Sequence, residues 1–145
     1  MNNKTLISAI VIFFLDQATK QIVLQFVPLN ATISVLSFLS LTHIKNTGSL
    51  FGLFHTLNFN AFFILLSVVL IGWIVYNARK SCWSVREQIA WGLVVGGAAG
   101  NLLDRVLYGA VTDFIDVGFW PVFNVADTSI TLGVLLLLVH ELLRR

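Results

Sequence analysis

Four long apolar runs divide the chain, and polar residues gather in the stretches between them. The runs are Thr5 to Val27, Asn58 to Asn77, Glu87 to Leu107 and Val125 to Leu143. Each comes close to the roughly 20 mostly apolar residues that cross the hydrocarbon layer of a bilayer. They predict an all-α membrane protein with four transmembrane helices. Pro28 to Leu57 is too polar and too interrupted to span. Within it, Ala31 to Ile44 is rich in β-branched and apolar residues whose alternation slips near Leu36, which predicts two short strands or one bulged strand. Segments 28–57 and 108–124 are thus expected outside the membrane, the first as a small extracytoplasmic β platform.

Composition agrees with this pattern. Of 145 residues, 57% are hydrophobic and only 11% charged, with a mean hydropathy of +0.88. The length fits a single domain, residues 1–145. Basic residues collect on the cytosolic flanks of membrane helices. An orientation with both termini cytosolic puts Lys4, Arg79, Lys80, Arg86, Arg144 and Arg145 inside. It also sorts the acids, which the basic-residue rule does not govern. Asp16, Asp104, Asp113, Asp116 and Asp127 fall in the outer half, Glu87 and Glu141 inside. The net charge of +2 gives no reason to expect nucleic acid as a partner. Cys82 is the single cysteine, so no intrachain disulfide can form. The basic start of the first run resembles a signal peptide, but Asp16, Gln17 and Lys20 occupy the place of a small-residue cleavage site. It is expected to be a retained helix.

Several polar residues in the runs have structural readings. Asp16 and Lys20, spaced i and i+4, can neutralise one another on one helix face. Gly92, Gly96 and Gly100 form a small-residue stripe of the kind that lets membrane helices approach closely. Gly97, Asn101 and Arg105 form a polar stripe directed into the bundle, with Asp104 beside it. Asn124 and Asp127 suit a helix N-terminus. The segment Lys45 to Gly52 has turn chemistry. His43 and His55 flank it and are expected to be interfacial polar residues, since no third ligand stands at metal spacing. Trp73 and Tyr76 belong to an aromatic belt.

Val111 to Val117 reads VTDFIDV, and if it is extended, Asp113 and Asp116 point to opposite faces. Asp113 and Asp127 then border the same rim, each among apolar residues. Two close carboxylates in low dielectric share a proton. One can activate water while the other protonates the departing group, which is aspartyl-protease chemistry and requires no metal or cofactor. Asp104 competes for a place in such a pair, although Arg105 beside it and its helical position point to an ion pair or hydrogen-bond network. A membrane ion translocator and a non-catalytic assembly subunit are rival classes. The first predicts acids near the midplane, and the second tolerates asparagine at both aspartates.

Five blocks occur in order: LDQATK from Leu15, KNTGSLFG from Lys45, GGAAGNLLDR from Gly96, VTDFID from Val111 and FNVADTSI from Phe123. With them the chain resembles the bacterial lipoprotein signal peptidases (signal peptidase II) over nearly its whole length. It departs from their pattern at Ser49 and Leu50, and in a short segment between Asp113 and Asp127. The resemblance implies a monomeric inner-membrane aspartyl endopeptidase. Its site would face the extracytoplasmic side and cut diacylglyceryl-modified prolipoproteins before the lipidated cysteine, with membrane lipids as the other partner. It implies Asp113 and Asp127 as the catalytic dyad, surrounded by Asp16, Lys20, Asn46, Gly48, Asn101, Asp104, Arg105, Asn124 and Ala126. Asn46, Asn101, Arg105 and Asn124 suit as donors to substrate carbonyls. A lid within Asn46 to Asn58 and an inactive or specialised paralogue are further expectations.

Overall fold

The computed structural model describes residues 3–48, 59–80 and 82–144. Long apolar stretches fold as helices because each backbone polar group is then satisfied within its own segment, as a lipid environment demands. These are α1 (Asn3–Phe26), α2 (Asn60–Lys80), α3 (Val85–Tyr108) and α4 (Val125–Arg144). Between them run β1 (Thr32–Leu36), β2 (Leu39–Asn46) and β3 (Val111–Asp116).

Helix α3 is the hub of the bundle, touching the other three helices. Its glycine stripe makes this possible. A Cβ on Gly96 would lie 2.5 Å from the carbonyl oxygen of Ala9 in α1, and one on Gly97 would lie 2.5 Å from that of Ala126 in α4. Thr5 stands opposite Gly92 and Asp16 opposite Gly100, so α1 runs parallel to α3. Gly97 meets Ala126 while Gly133 meets Ala90, so α4 runs antiparallel. The start of α1 and the end of α4 therefore lie at one end of the bundle.

Among the described residues three helices are long and apolar enough to cross a membrane: Asn3–Phe26, Asn60–Ala78 and Val125–Arg144. Helix α3 has 24 residues, the length of a span, but owes its burial to its neighbours rather than to an apolar sequence. Gly96, Gly97, Asn101 and Asp104 are all buried along it. Its start is fixed by a capping box in which Ser84 accepts from the Glu87 amide while the Glu87 side chain accepts from the Ser84 amide. Its end is Gly109 at φ 71°, whose N–H closes onto Arg105 O.

The expected platform is a three-stranded antiparallel sheet of order β1-β2-β3. The slip anticipated near Leu36 is an irregularity between Ser34 and Leu36, and a second lies between Leu41 and Ile44. The sheet is joined to the end of α1 through Val23, Val27 and Phe114, with Leu41 and Ile115 packed against them. His43 corrects an expectation here. It is buried, with Nδ1 2.8 Å from Val27 O. The imidazole covers a carbonyl that the helix end leaves without an intrahelical donor. His55 and the 49–58 part of the anticipated lid, with Ser49 and Leu50, lie outside the described residues.

Candidate active site

Strand β3 and the first turn of α4 converge at one end of the bundle. Asp113, on β3, is 2% exposed. Strand β2 is its partner in the sheet, with Asn46 opposite Val111 and Ile44 opposite Asp113. Asn46 Nδ2 donates to Asp113 Oδ2 at 2.9 Å. Asn46 is itself oriented by the Gly48 N–H, which donates to its Oδ1 at 2.8 Å. Gly48 has φ 97°, and a Cβ there would stand 2.7 Å from the Phe63 ring, so both backbone and space call for glycine.

On the other side Asn124 is the N-cap of α4. Its Oδ1 accepts from the Asp127 amide at 2.9 Å, and its own amide donates to Asp127 Oδ2 at 3.3 Å. Capping and a catalytic arrangement were competing readings of this pair, yet the cap is what orients Asp127. The Asn124 side chain then donates to Asp113 Oδ1 at 2.7 Å. Asn101 Nδ2 donates to Asp127 Oδ1 at 2.8 Å. Both aspartates are thus held by amide donors from neighbouring elements.

A second layer of charge lies behind them. Lys20 Nζ is 2.8 Å from Asp16 Oδ2 and 3.3 Å from Asp104 Oδ2, and donates to Asn101 Oδ1 at 2.9 Å. Asp16 Oδ1 accepts from the Ala126 amide at 2.9 Å, which pins the start of α4 to α1. Asp104 Oδ2 accepts from the Thr112 amide at 2.9 Å. The expected Asp16–Lys20 pair is present. The ion pair or hydrogen-bond network expected at Asp104 is present, but its cation is Lys20 from another helix rather than the neighbouring Arg105. The Arg105 guanidinium instead lies 4.8 Å from the centre of the Phe63 ring, and among the described residues its buried Nε has no hydrogen-bond partner. Since Asn46, Asn101 and Asn124 already hold carboxylates, Arg105 is the one of the four anticipated donors left with a buried donor to offer.

Three contributors escaped the sequence reading. Gln17 Nε2 bridges Asp16 Oδ2 at 3.2 Å and Asp104 Oδ1 at 3.1 Å. Thr112 accepts from Lys45 Nζ at 2.8 Å. All three lie within the quoted blocks, and that membership was the only available signal. Asp116 sits apart from the site, accepting from Thr42 Oγ1 at 2.7 Å. That hydrogen bond and one from the Gly118 amide hold its carboxyl below the usual range.

Burial pushes the Asp113 carboxyl up from 3.8 to about 7, and the nearby charge of Asp127 adds to this against the opposing hydrogen bonds of Asn46 and Asn124. One carboxyl can therefore hold a proton at neutral pH beside another. Beside Asp127 opens an apolar groove of about 430 Å³, lined also by Phe119, Trp120, Phe123, Thr131 and Leu132. Among the described residues no group of three or more His, Cys, Asp or Glu could hold a metal ion.

Comparison with known proteins gives a consistent picture. A family model described as signal peptidase (SPase) II matches residues 8–143. The lipoprotein signal peptidase of Thermodesulfovibrio yellowstonii is 38% identical over 143 residues, covering 96% of this chain and 95% of the relative. That of Syntrophomonas wolfei is 42% identical over 137 residues, covering 94% and 91%. A solved bacterial membrane enzyme superposes with a TM-score of 0.86 at 32% identity, over 95% of this chain and 87% of its own. The chain belongs to the signal peptidase II family, membrane proteases that remove signal peptides from prolipoproteins.

Proposed function

We propose that the protein is an aspartic endopeptidase in which Asp113 and Asp127 form the catalytic pair. The observation that carries this reading is the shared contact at the pair: the Asn124 side chain donates to Asp113 Oδ1 at 2.7 Å and accepts from the Asp127 amide at 2.9 Å, while burial and the charge of Asp127 push the Asp113 carboxyl up to about 7. Asp127 lies at the N-terminus of α4, where the helix dipole favours a negative charge. In the resting site Asp127 is ionised and Asp113 carries the proton, as a property of the coupled pair. Asp127 takes a proton from water as its oxygen bonds to the scissile carbonyl carbon. Asp113 gives its proton to the developing oxyanion. When the carbon–nitrogen bond breaks, the leaving amine takes the proton from Asp127 and one hydroxyl of the diol returns its proton to Asp113, which leaves the carboxylic acid and restores the resting pair.

The substrate in this reading is a prolipoprotein whose cysteine bears a diacylglyceryl group, cut on the amino side of that cysteine. The apolar groove beside Asp127 suits an acyl or apolar side chain, each buried CH₂ contributing about 0.8 kcal/mol. Arg105 Nε supplies the donor for a substrate carbonyl. The enzyme works as a monomer in the bacterial inner membrane with its site on the extracytoplasmic side. Four helices span, with α3 screened from lipid by the others. The aspartates gather at one end of the bundle rather than along a path between faces, which disfavours ion translocation.

The test is cleavage by purified protein of diacylglyceryl-modified prolipoprotein, beside the unmodified precursor. Cleavage of the lipidated form alone is expected, falling at least about 10²-fold in Asp113→Asn and in Asp127→Asn, the scale of general acid–base catalysis. Full activity in either variant would overturn the dyad. Equal cleavage of both precursors would overturn the substrate assignment.

A further inference from the structure

At the opposite end of the bundle, α3 and α4 enclose a second groove of about 360 Å³. It is lined by Arg86, Ile89, Leu136, Val139, His140 and Leu143. Arg86 and Ile89 are spaced i and i+3 on α3, and the four residues of α4 follow i, i+3, i+4 and i+7. Both sets run along the helix axes, so the groove is a valley parallel to the bundle. The α4 set covers about 10 Å at the rise of a helix. Its floor is aliphatic, and exposed Arg86 stands at its mouth.

The charges at the mouth are unevenly matched. Glu87 is occupied twice, by the Ser84 amide at 2.8 Å and by His140 Nε2 at 3.6 Å. Among the described residues no acid forms an ion pair with Arg86. Arg86 also stands in the first turn of α3, two residues after its N-cap Ser84, where the helix dipole disfavours a cation. Among the described residues no acid pairs with this positive charge, whereas an external anion would match it.

The depth is that of lipid headgroups. Trp83 stacks on Trp91 at 5.6 Å, and Trp73 meets Trp91 at 5.7 Å, with exposed Tyr76 close in sequence. Such aromatic clusters settle at the membrane–water boundary. Arg86 lies fifteen residues before Asn101, about 22 Å along α3 from the candidate active site. Arg86 and the candidate active site thus lie at opposite ends of the bundle.

We propose that this groove is a binding site for one anionic phospholipid, with its phosphate on Arg86 and an acyl chain laid along Ile89, Leu136, Val139 and Leu143. The guanidinium presents paired donors suited to phosphate oxygens. A zwitterionic lipid offers the same acyl chain but brings its own cation to the mouth, next to Arg86.

The experiment is native mass spectrometry of the full chain released from vesicles of equal phosphatidylglycerol and phosphatidylcholine. One retained phosphatidylglycerol is expected, preferred about fivefold, the effect of one arginine near an anionic headgroup. Arg86→Gln should abolish the preference, and Val139→Trp, which fills the valley, should lower retention of both lipids. Arg79→Gln, an exposed cation on α2 outside the groove, should leave the preference intact. Equal loss in the Arg79 and Arg86 variants, or undiminished retention in Val139→Trp, would overturn the site. Helical circular dichroism checks that each variant is folded. Because lipid retention is read without any cleavage, the outcome stands apart from the proposed peptidase activity.

Discussion

The side chain of Asn124 lies 2.7 Å from Asp113 and caps the helix that carries Asp127. One residue thereby performs two separable tasks. Serine is a good N-cap but cannot reach with an amide group. Asn124→Ser should keep helix α4 near wild-type stability while lowering cleavage about 10²-fold, the cost of a small misplacement of a reacting group. Asn124→Ala should lose about 1 kcal/mol as well, through the missing cap. Thermal unfolding in detergent and steady-state cleavage, measured on both variants, separate the two roles.

The proton on Asp113 sets an alkaline limit. Its folded value lies above the ordinary one, so its contribution to stability is fully present below 3.8 and is lost as pH rises through about 7. Activity that needs this proton should fall over the same upper range. The Asn46 hydrogen bond favours the ionised form and lowers the value. Asn46→Ala should therefore move the alkaline limb of kcat/KM to higher pH. A limb that stays in place or moves downward would refute the assignment of the proton to Asp113.

Lys20 is 1% exposed and lies between two carboxylates. Removing one member of a buried ionic set strands the rest in low dielectric, at about 3–5 kcal/mol. Lys20→Met should be destabilised on that scale, and Asp104→Asn added to it should recover part of the loss. Unfolding of the single and double variants gives the comparison.

Two glycines make an internal control for helix packing. A Cβ on Gly96 would meet Ala9 O at 2.5 Å and Ile12 Cβ at 2.9 Å, and a backbone atom cannot easily give way. Gly96→Ala should cost about 1–3 kcal/mol, the scale of overpacking. A Cβ on Gly72 would meet nothing within 4 Å. Gly72→Ala should be neutral or stabilising by up to about 1 kcal/mol, since alanine is the better helix former. Melting temperatures of the pair test the stripe directly.

How much of this was legible in the sequence follows from which forces act locally. Helix positions could be read because membrane crossing imposes a length and a composition on each segment. The strand irregularity near Leu36 showed as a break in alternation. Asp16 and Lys20 could be paired because both lie on one helix. The link from Lys20 to Asp104 crosses 84 positions, and adjacency favoured Arg105 instead. Arg105 turns to Phe63, which only the packing of α2 against α3 reveals. His43 was expected to be an interfacial polar residue because no third ligand stands at metal spacing, but its strand folds back over the end of α1 and buries it. Convergence of Asp113 and Asp127 was inferred from chemistry and family resemblance, and the shared contact through Asn124 depends on β3 meeting α4.

The ion pair in α1 has a consequence for biogenesis. Asp16 and Lys20 are made on the same helix, so α1, which is synthesised before α3, already contains the countercharge for its own acid. It can enter the lipid as a nearly neutral unit before α3 is made. Asp104 has no such companion within α3, and its cation waits in α1. The third helix is thus the dependent one: its polar end becomes tolerable in the bilayer only after the first is in place, which gives assembly a direction that follows the order of synthesis.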